Sequence, residues 1–273
     1  MDLHSLTQLG QVTDYPDTPC AERLQAIPRQ FSRDGLGLDA HTVLPFRGVD
    51  LWTHYELSWL DGQGKPRVAI GEIRVPAEST NIIESKSLKL YFNGLNFTRF
   101  ASPEAFVAQV EADLSLVAGA KVCLSLLDVG QAGSLAALPG VCLDELALCT
   151  DVYTPDPSLI QIREDVYEDA VWHSHLLRSN CPVTNQPDWG SVLIHARGPA
   201  LIPESLLAYL VSYRRHSDFH EQCVERIFID LLKHAKLEQL TVYARYTRRG
   251  GLDINPFRSN FESLTESLRM ARQ

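Results

Sequence analysis

From Val49 onward the chain alternates. Val49, Leu51, Thr53, Tyr55, Leu57 and Trp59 are interleaved with Asp50, His54, Glu56 and Ser58. That is the pattern of a strand with one buried and one solvated face. Gly62-Gln63-Gly64 then turns the chain, and Val68 to Val75 reads as the hairpin partner. Ser102-Pro103-Glu104 opens a helix, with a hydroxyl to cap it, a proline at its first turn and an acid at the positive end of its dipole. Phe106, Val107, Val110 and Leu114 give that helix an apolar face, and Lys121 to Leu127 returns as a strand.

The second half follows the same plan. Residues 189–196 alternate as a strand, and Pro203-Glu204 opens a helix that runs to about Arg214. Asp218 to Ala235 forms a second helix, with Phe219, Cys223, Val224, Ile227, Phe228, Leu231 and Leu232 on one stripe. Leu240 to Thr247 closes as a strand. The repeat lies in element order and not in residue identity. It predicts an α+β chain of two modules, residues 1–150 and 151–273, each an antiparallel sheet backed by helices. The acidic stretch from Tyr153 to Glu168 is the expected connection, because Pro155 and Pro157 break any helix there. Residues 1–45 are rich in turn formers and hard to assign.

At 273 residues and 45% hydrophobic content, the chain has enough apolar material for two modest domains. Acidic residues outnumber basic ones 34 to 25, which argues against a general nucleic-acid or anionic-membrane binder. No apolar run approaches the roughly 18 residues of a membrane span. Met1-Asp2-Leu3-His4 lacks the positive start and apolar core of a signal peptide. Cysteines stand at positions 20, 123, 142, 149, 181 and 223, with no C-x-x-C pair or zinc-finger spacing. These features suggest a soluble cytoplasmic protein with reduced thiols.

Several common chemistries lack their motifs. Gly62-Gln63-Gly64 and Gly35-Leu36-Gly37 both miss the third glycine of a dinucleotide fingerprint. No P-loop and no nucleophile elbow occurs. His216, His220 and Cys223 could line one helical edge as metal ligands, but Cys223 sits on the apolar stripe, where a free cysteine is commonly structural. The sequence therefore suggests no metal site.

Four constellations remain. Cys181 lies in a loop between strand-like segments that is rich in proline and asparagine, and Asp188 follows seven residues later. The pair reads either as a nucleophile beside a proton shuttle or as an inert thiol beside a turn residue. In Phe219-His220-Glu221, the glutamate reads either as a capping-box partner of Asp218 or as a ligand contact at a helix start. In Glu84-Ser85-Lys86-Ser87-Leu88-Lys89-Leu90-Tyr91, period 2 places charges and leucines on one strand face, as a solvated edge strand or a site strand would. Arg245, Arg248, Arg249 and Arg258 around Gly250-Gly251 read as a phosphate cradle or an exposed basic turn.

Together these segments resemble the QueF family, the NADPH-dependent 7-cyano-7-deazaguanine reductases of queuosine biosynthesis, in its long two-module form. Glu84 to Tyr91 is similar to the family signature E-(S/L)-K-(S/A)-x-K-(L/Y)-(Y/F/W). The segments Ser179-Asn180-Cys181, Gln186-Pro187-Asp188-Trp189-Gly190, Phe219 to Glu225 and Tyr243 to Pro256 are similar to long-form segments. The resemblance implies tandem tunnelling-fold modules. It implies Cys181 as the nucleophile that adds to the nitrile carbon as a thioimide, and Asp188 as the acid for the nitrile nitrogen. It also implies substrate contacts at Ile83, Glu84, Ser85, His220 and Glu221, and NADPH contacts at Ser85, Lys86, Arg249 and Gly250. Finally it implies a homodimer, a site formed where modules and subunits meet, and no metal. Two other readings stay open at this level: a silent deazapurine- or nucleotide-binding module, and another tunnelling-fold enzyme of pterins or purines.

Overall fold

The computed structural model describes residues 20–131, 135–265 and 267–273, with Thr7, Tyr15, Asp17 and Thr18 before them. Met1 to His4, read above for a leader, lie outside the described residues. The chain divides into two compact units. The first takes Met1–His41, Asp50–Ser134 and Arg248–Asp253; the second takes Thr42–Val49, Leu135–Thr247 and Ile254–Gln273. The architecture is α+β, with antiparallel-dominated sheets backed by helices.

In the first unit, the expected hairpin forms from strands Arg47–Leu60 and Pro66–Pro76. Asp61 builds its turn by accepting from the backbone N–H groups of Gln63 and Lys65, each at 3.0 Å. Strand Cys123–Leu127 pairs antiparallel with Pro66–Pro76, with Ile73 opposite Leu124. Helix Pro103–Ala118 begins as read: the Ser102 hydroxyl accepts from the Ala105 N–H at 3.3 Å, and left-handed Gly119 ends it. Phe106, Val110 and Leu114 are fully buried, and Phe106 stacks on Trp59 with ring centroids 4.5 Å apart.

The signature segment is a helix and not a strand. Ser85–Leu95 is α-helical, and Glu84 caps it from an extended conformation. One Glu84 carboxylate oxygen accepts from Lys86 N–H at 3.1 Å and the other from Ser87 N–H at 2.6 Å. These bonds satisfy donors that a helix start leaves orphaned. Leu88, Tyr91, Phe92 and Leu95 then follow at helical spacing and are all buried. A short strand, Asn81–Ile83, delivers the chain to this cap by pairing with Ala26–Pro28.

The second unit repeats two long antiparallel strands, two helices and a closing strand. Ile162–Ser174 pairs with Pro187–Leu201, which pairs with Gln239–Tyr246, which pairs with Leu252–Ser259. The helices are Pro203–Val211 and His220–His234. The acidic stretch from Tyr153 is only partly a connection, because the strand already begins at Ile162. Its first half is mostly solvent-exposed, so Glu164, Asp165 and Glu168 remain hydrated within a strand. Composition alone therefore read it as a linker. Leu138, Leu193, Tyr243, Phe257 and Met270 form a buried cluster in this unit, with Val49 and Val171 packed against it.

Candidate active site

The loop that carries Cys181 is the end of a hairpin. Strand Arg178–Asn180 pairs antiparallel with the start of Pro187–Leu201, with Ser179 opposite Asp188 and Asn180 opposite Pro187. The Cys181 N–H donates to the Gln186 carbonyl at 2.8 Å, and the Asn185 N–H returns to the Cys181 carbonyl at 2.9 Å. Asn185 takes the left-handed conformation that closes the turn. Carried one residue past Asn180 by the Cys181–Gln186 bond, the register puts Cys181 and Asp188 on one face as diagonal neighbours, a relation that spans about 7–8 Å in a sheet. Both residues are buried, at 8% and 5% exposure. Asp188 is thus screened from water and Cys181 is not an exposed loop thiol.

A third strand-like segment fixes what faces the hairpin. Asn180 N–H donates to the His216 carbonyl at 2.8 Å, and Asp218 N–H donates to the Asn180 carbonyl at 3.1 Å. Helix His220–His234 starts directly afterwards. His220 Nε2 reaches Asp188 Oδ1 at 3.2 Å. The His220 ring lies flat on Tyr246, with centroids 3.8 Å apart and planes 7° apart. Gly190 faces Tyr246 across the sheet, and a Cβ there would stand 3.2 Å from the tyrosine ring. Burial pushes the Tyr246 hydroxyl and the Cys223 thiol well above their ordinary ranges, so both stay protonated.

The capping reading of Glu221 is corrected. The residue before the helix is Phe219, whose N–H donates to Asp218 Oδ1 at 3.1 Å and to Gln222 Oε1 at 3.4 Å. Gln222 therefore does what the sequence offered to Glu221. Glu221 is itself in the first turn and 1% exposed.

The arginine cluster also divides. Arg258 is fully buried and bonds Glu225 through Nε at 3.0 Å and Nη2 at 2.9 Å. Arg245 is 3% exposed and donates to Gln273 Oε1 at 2.8 Å and the Tyr243 hydroxyl at 2.7 Å. Neither forms part of a surface cradle. Their partners lie 33, 28 and 2 positions away in sequence, which the local pattern around Gly250 did not reveal.

Arg249 and Gly250 belong to the first unit, in a turn where Arg249 and Leu252 exchange backbone bonds at 2.9 and 3.3 Å. Gly250 and Gly251 are both left-handed, with φ of 55° and 72°. The left-handed backbone at Gly251 favours glycine, and a Cβ there would also displace the Glu56 carboxyl. At Gly250 a Cβ would meet the Lys89 side chain at 3.5 Å. The structure thus brings Arg249 and Gly250 beside the helix that Glu84 caps, where Ser85, Lys86 and Lys89 are half-buried. Lys89 stood in the signature segment but was not singled out. Only the helical turn, which returns residue 89 to the face of residue 85, exposes its relevance. Burial, which outweighs its cap bonds, raises the Glu84 carboxyl above the usual range. Beside Lys89, burial lowers His54 to about 4.

Comparison with known proteins gives a consistent result. Residues 15–126 match the family model described as "Nitrile reductase, 7-cyano-7-deazaguanine-reductase N-term". Residues 187–264 match that of a "QueF-like protein". Cys181 falls between the two matches, within the span of the full-length relatives. A protein of Teredinibacter turnerae named NADPH-dependent 7-cyano-7-deazaguanine reductase is 51% identical over 100% of both chains. A Chromohalobacter salexigens protein of the same name is 52% identical over 97% of this chain and 96% of its own.

Proposed function

The chain belongs to the QueF family of nitrile reductases, and from that premise we propose that it reduces 7-cyano-7-deazaguanine to 7-aminomethyl-7-deazaguanine with NADPH. The observation that carries this reading is the shared hairpin face of Cys181 and Asp188, with His220 bonded to the carboxyl. A thiol and a proton donor on one face match the addition of a thiol across a carbon–nitrogen triple bond.

The steps balance as follows. The Cys181 sulfur adds to the nitrile carbon while the nitrile nitrogen takes a proton from Asp188, which the thiol proton of Cys181 then replaces, giving a thioimide. The hydride equivalents come from NADPH, one for each of two reductions. The first, with a proton, converts the thioimide carbon to a tetrahedral amine that still carries sulfur. Its carbon–sulfur bond breaks, which frees the thiol and leaves an imine. The second hydride and another proton give the primary amine. One nitrile thus consumes two NADPH and two protons.

Glu221 takes the N1–H and 2-amino edge of the deazaguanine through two parallel bonds. The cap supports this assignment, because it already engages both Glu84 oxygens with backbone N–H groups. Ile83, Glu84, Ser85 and His220 supply the remaining substrate contacts. The first unit's Ser85, Lys86, Arg249 and Gly250, with Lys89 added, fit a phosphorylated cofactor, because cationic side chains gather at a glycine turn and a helix start. The chain is taken to be two tandem tunnelling-fold modules, cytoplasmic and homodimeric, serving the queuosine pathway without binding nucleic acid itself. The reading is tested by product stoichiometry: two NADPH oxidised per aminomethyl product supports it, and a ratio of one, or turnover without the nitrile, contradicts it. Light scattering of the purified chain tests the dimer, and a monomer mass removes it.

A further inference from the structure

The second unit carries another group of reactive side chains, which nitrile reduction does not use. Cys142 lies in the two-residue strand Val141–Cys142, which runs parallel to Ile162–Ser174 with Cys142 opposite His173. His175 follows two positions later, just past the end of that strand. One ligand atom from each of Cys142, His173 and His175 lies within 4.8 Å of the other two.

The surroundings orient both imidazoles. His173 Nδ1 is 2.9 Å from the Pro139 carbonyl oxygen. A carbonyl only accepts, so Nδ1 carries the proton and Nε2 keeps a lone pair. His175 Nδ1 is 2.8 Å from Ser191 Oγ, which also accepts from Arg272 Nη2 at 3.2 Å. In each ring Nδ1 is engaged and Nε2 is left to ligate, the arrangement that outer-shell partners impose on metal-binding histidines. The Asp144 carboxylate lies beside the group, accepting from the Ser174 hydroxyl at 2.6 Å and from His175 N–H at 3.0 Å. Its charge favours a cation nearby. Gly140 lets the Cys142 segment approach: its φ is 82°, and a Cβ there would stand 2.2 Å from the Val171 carbonyl oxygen.

We propose that Cys142, His173 and His175 bind one zinc-class divalent metal ion, with water in the fourth position. Thiolate and two neutral imidazoles are a donor set suited to zinc. Binding releases the Cys142 proton and ties the short edge strand to the long one. Cys142 is distant in sequence from His173 and His175 and joins them only through the parallel register.

The test is a cobalt(II) titration of the full chain after chelator treatment, followed by displacement with zinc. One equivalent of cobalt should bind with a thiolate charge-transfer band, and zinc should abolish that band. Cys142→Ser should remove the band and weaken cobalt binding at least tenfold. Cys142 is exposed, so the substitution should leave the circular dichroism unchanged. His175→Gln should weaken binding similarly, and Ser191→Ala by about 10–100-fold, as expected for an outer-shell partner. Cys149→Ser and Cys181→Ala should keep the band. Absence of stoichiometric cobalt binding overturns the proposal, as does a band that survives Cys142→Ser or disappears with Cys181→Ala.

Discussion

His220 Nε2 lies 3.2 Å from Asp188 Oδ1, while the same imidazole is stacked flat on Tyr246. The ring is therefore held from one side by a carboxyl and from its face by a buried phenol. Such a contact fixes which way the Asp188 carboxyl points.

Asp188→Asn should slow thioimide formation by about 10²–10⁴-fold, the usual worth of a positioned general acid. Noncovalent binding of the nitrile, measured by calorimetry in a Cys181→Ala background, should change by less than severalfold. Adduct formation at an undiminished rate would remove Asp188 from its assigned role.

Arg249→Ala should raise the KM for NADPH about tenfold and leave kcat nearly unchanged, because a contact to a cofactor phosphate acts on binding. Its effect with NADH should be smaller, since NADH lacks the 2′-phosphate. Steady-state kinetics with both cofactors check this, and equal losses with the two would contradict it.

Arg258→Ala should behave differently. It leaves Glu225 charged and buried, and breaking such a pair typically costs about 3–5 kcal/mol. Denaturant unfolding should show that loss, while the KM for NADPH of the folded fraction stays near that of the parent. A cofactor effect with unchanged stability would return Arg258 to the phosphate site.

The contrast between these two arginines shows what the sequence could and could not reveal. Helix Pro103–Ala118 was readable from Ser102 and Pro103 because its cap is local. The Val49–Trp59 strand was readable because period 2 is local too, but its solvated face was misread at one end, since Asp50 and His54 are buried together with Leu51, Trp52 and Thr53. Arg258 was misread because its partner lies on a helix 33 residues earlier. The Glu84 segment was misread because two backbone bonds to one carboxylate outweigh an apparent alternation, and its helical stripe becomes plain only when Phe92 and Leu95 are counted. Cys181 and Asp188 stood out by spacing, but their common face depends on the register of a three-residue strand.

Stability should fall on mild acidification. His54 is held neutral in the folded state, with its pKa lowered to about 4 by burial and then by Lys89. Unfolded, it titrates near 6.5, so between those values the unfolded chain binds a proton that the folded chain refuses. The contribution of His54 is complete above about pH 6.5 and is lost as pH falls toward 4. At 1.36 kcal/mol per unit this amounts to about 3 kcal/mol. The difference between the denaturant midpoints of the parent and His54→Gln should be constant above pH 6.5 and shift against the parent as pH falls from 6.5 toward 4. Parallel curves would contradict the assignment.

The covalent step at Cys181 is the most directly testable part of the proposed reaction. Intact-protein mass spectrometry after adding 7-cyano-7-deazaguanine without NADPH should show a gain of one ligand mass, mapped by peptide analysis to Cys181, and no gain in Cys181→Ala. An unmodified protein at saturating nitrile, or an adduct on another cysteine, would contradict the proposed mechanism.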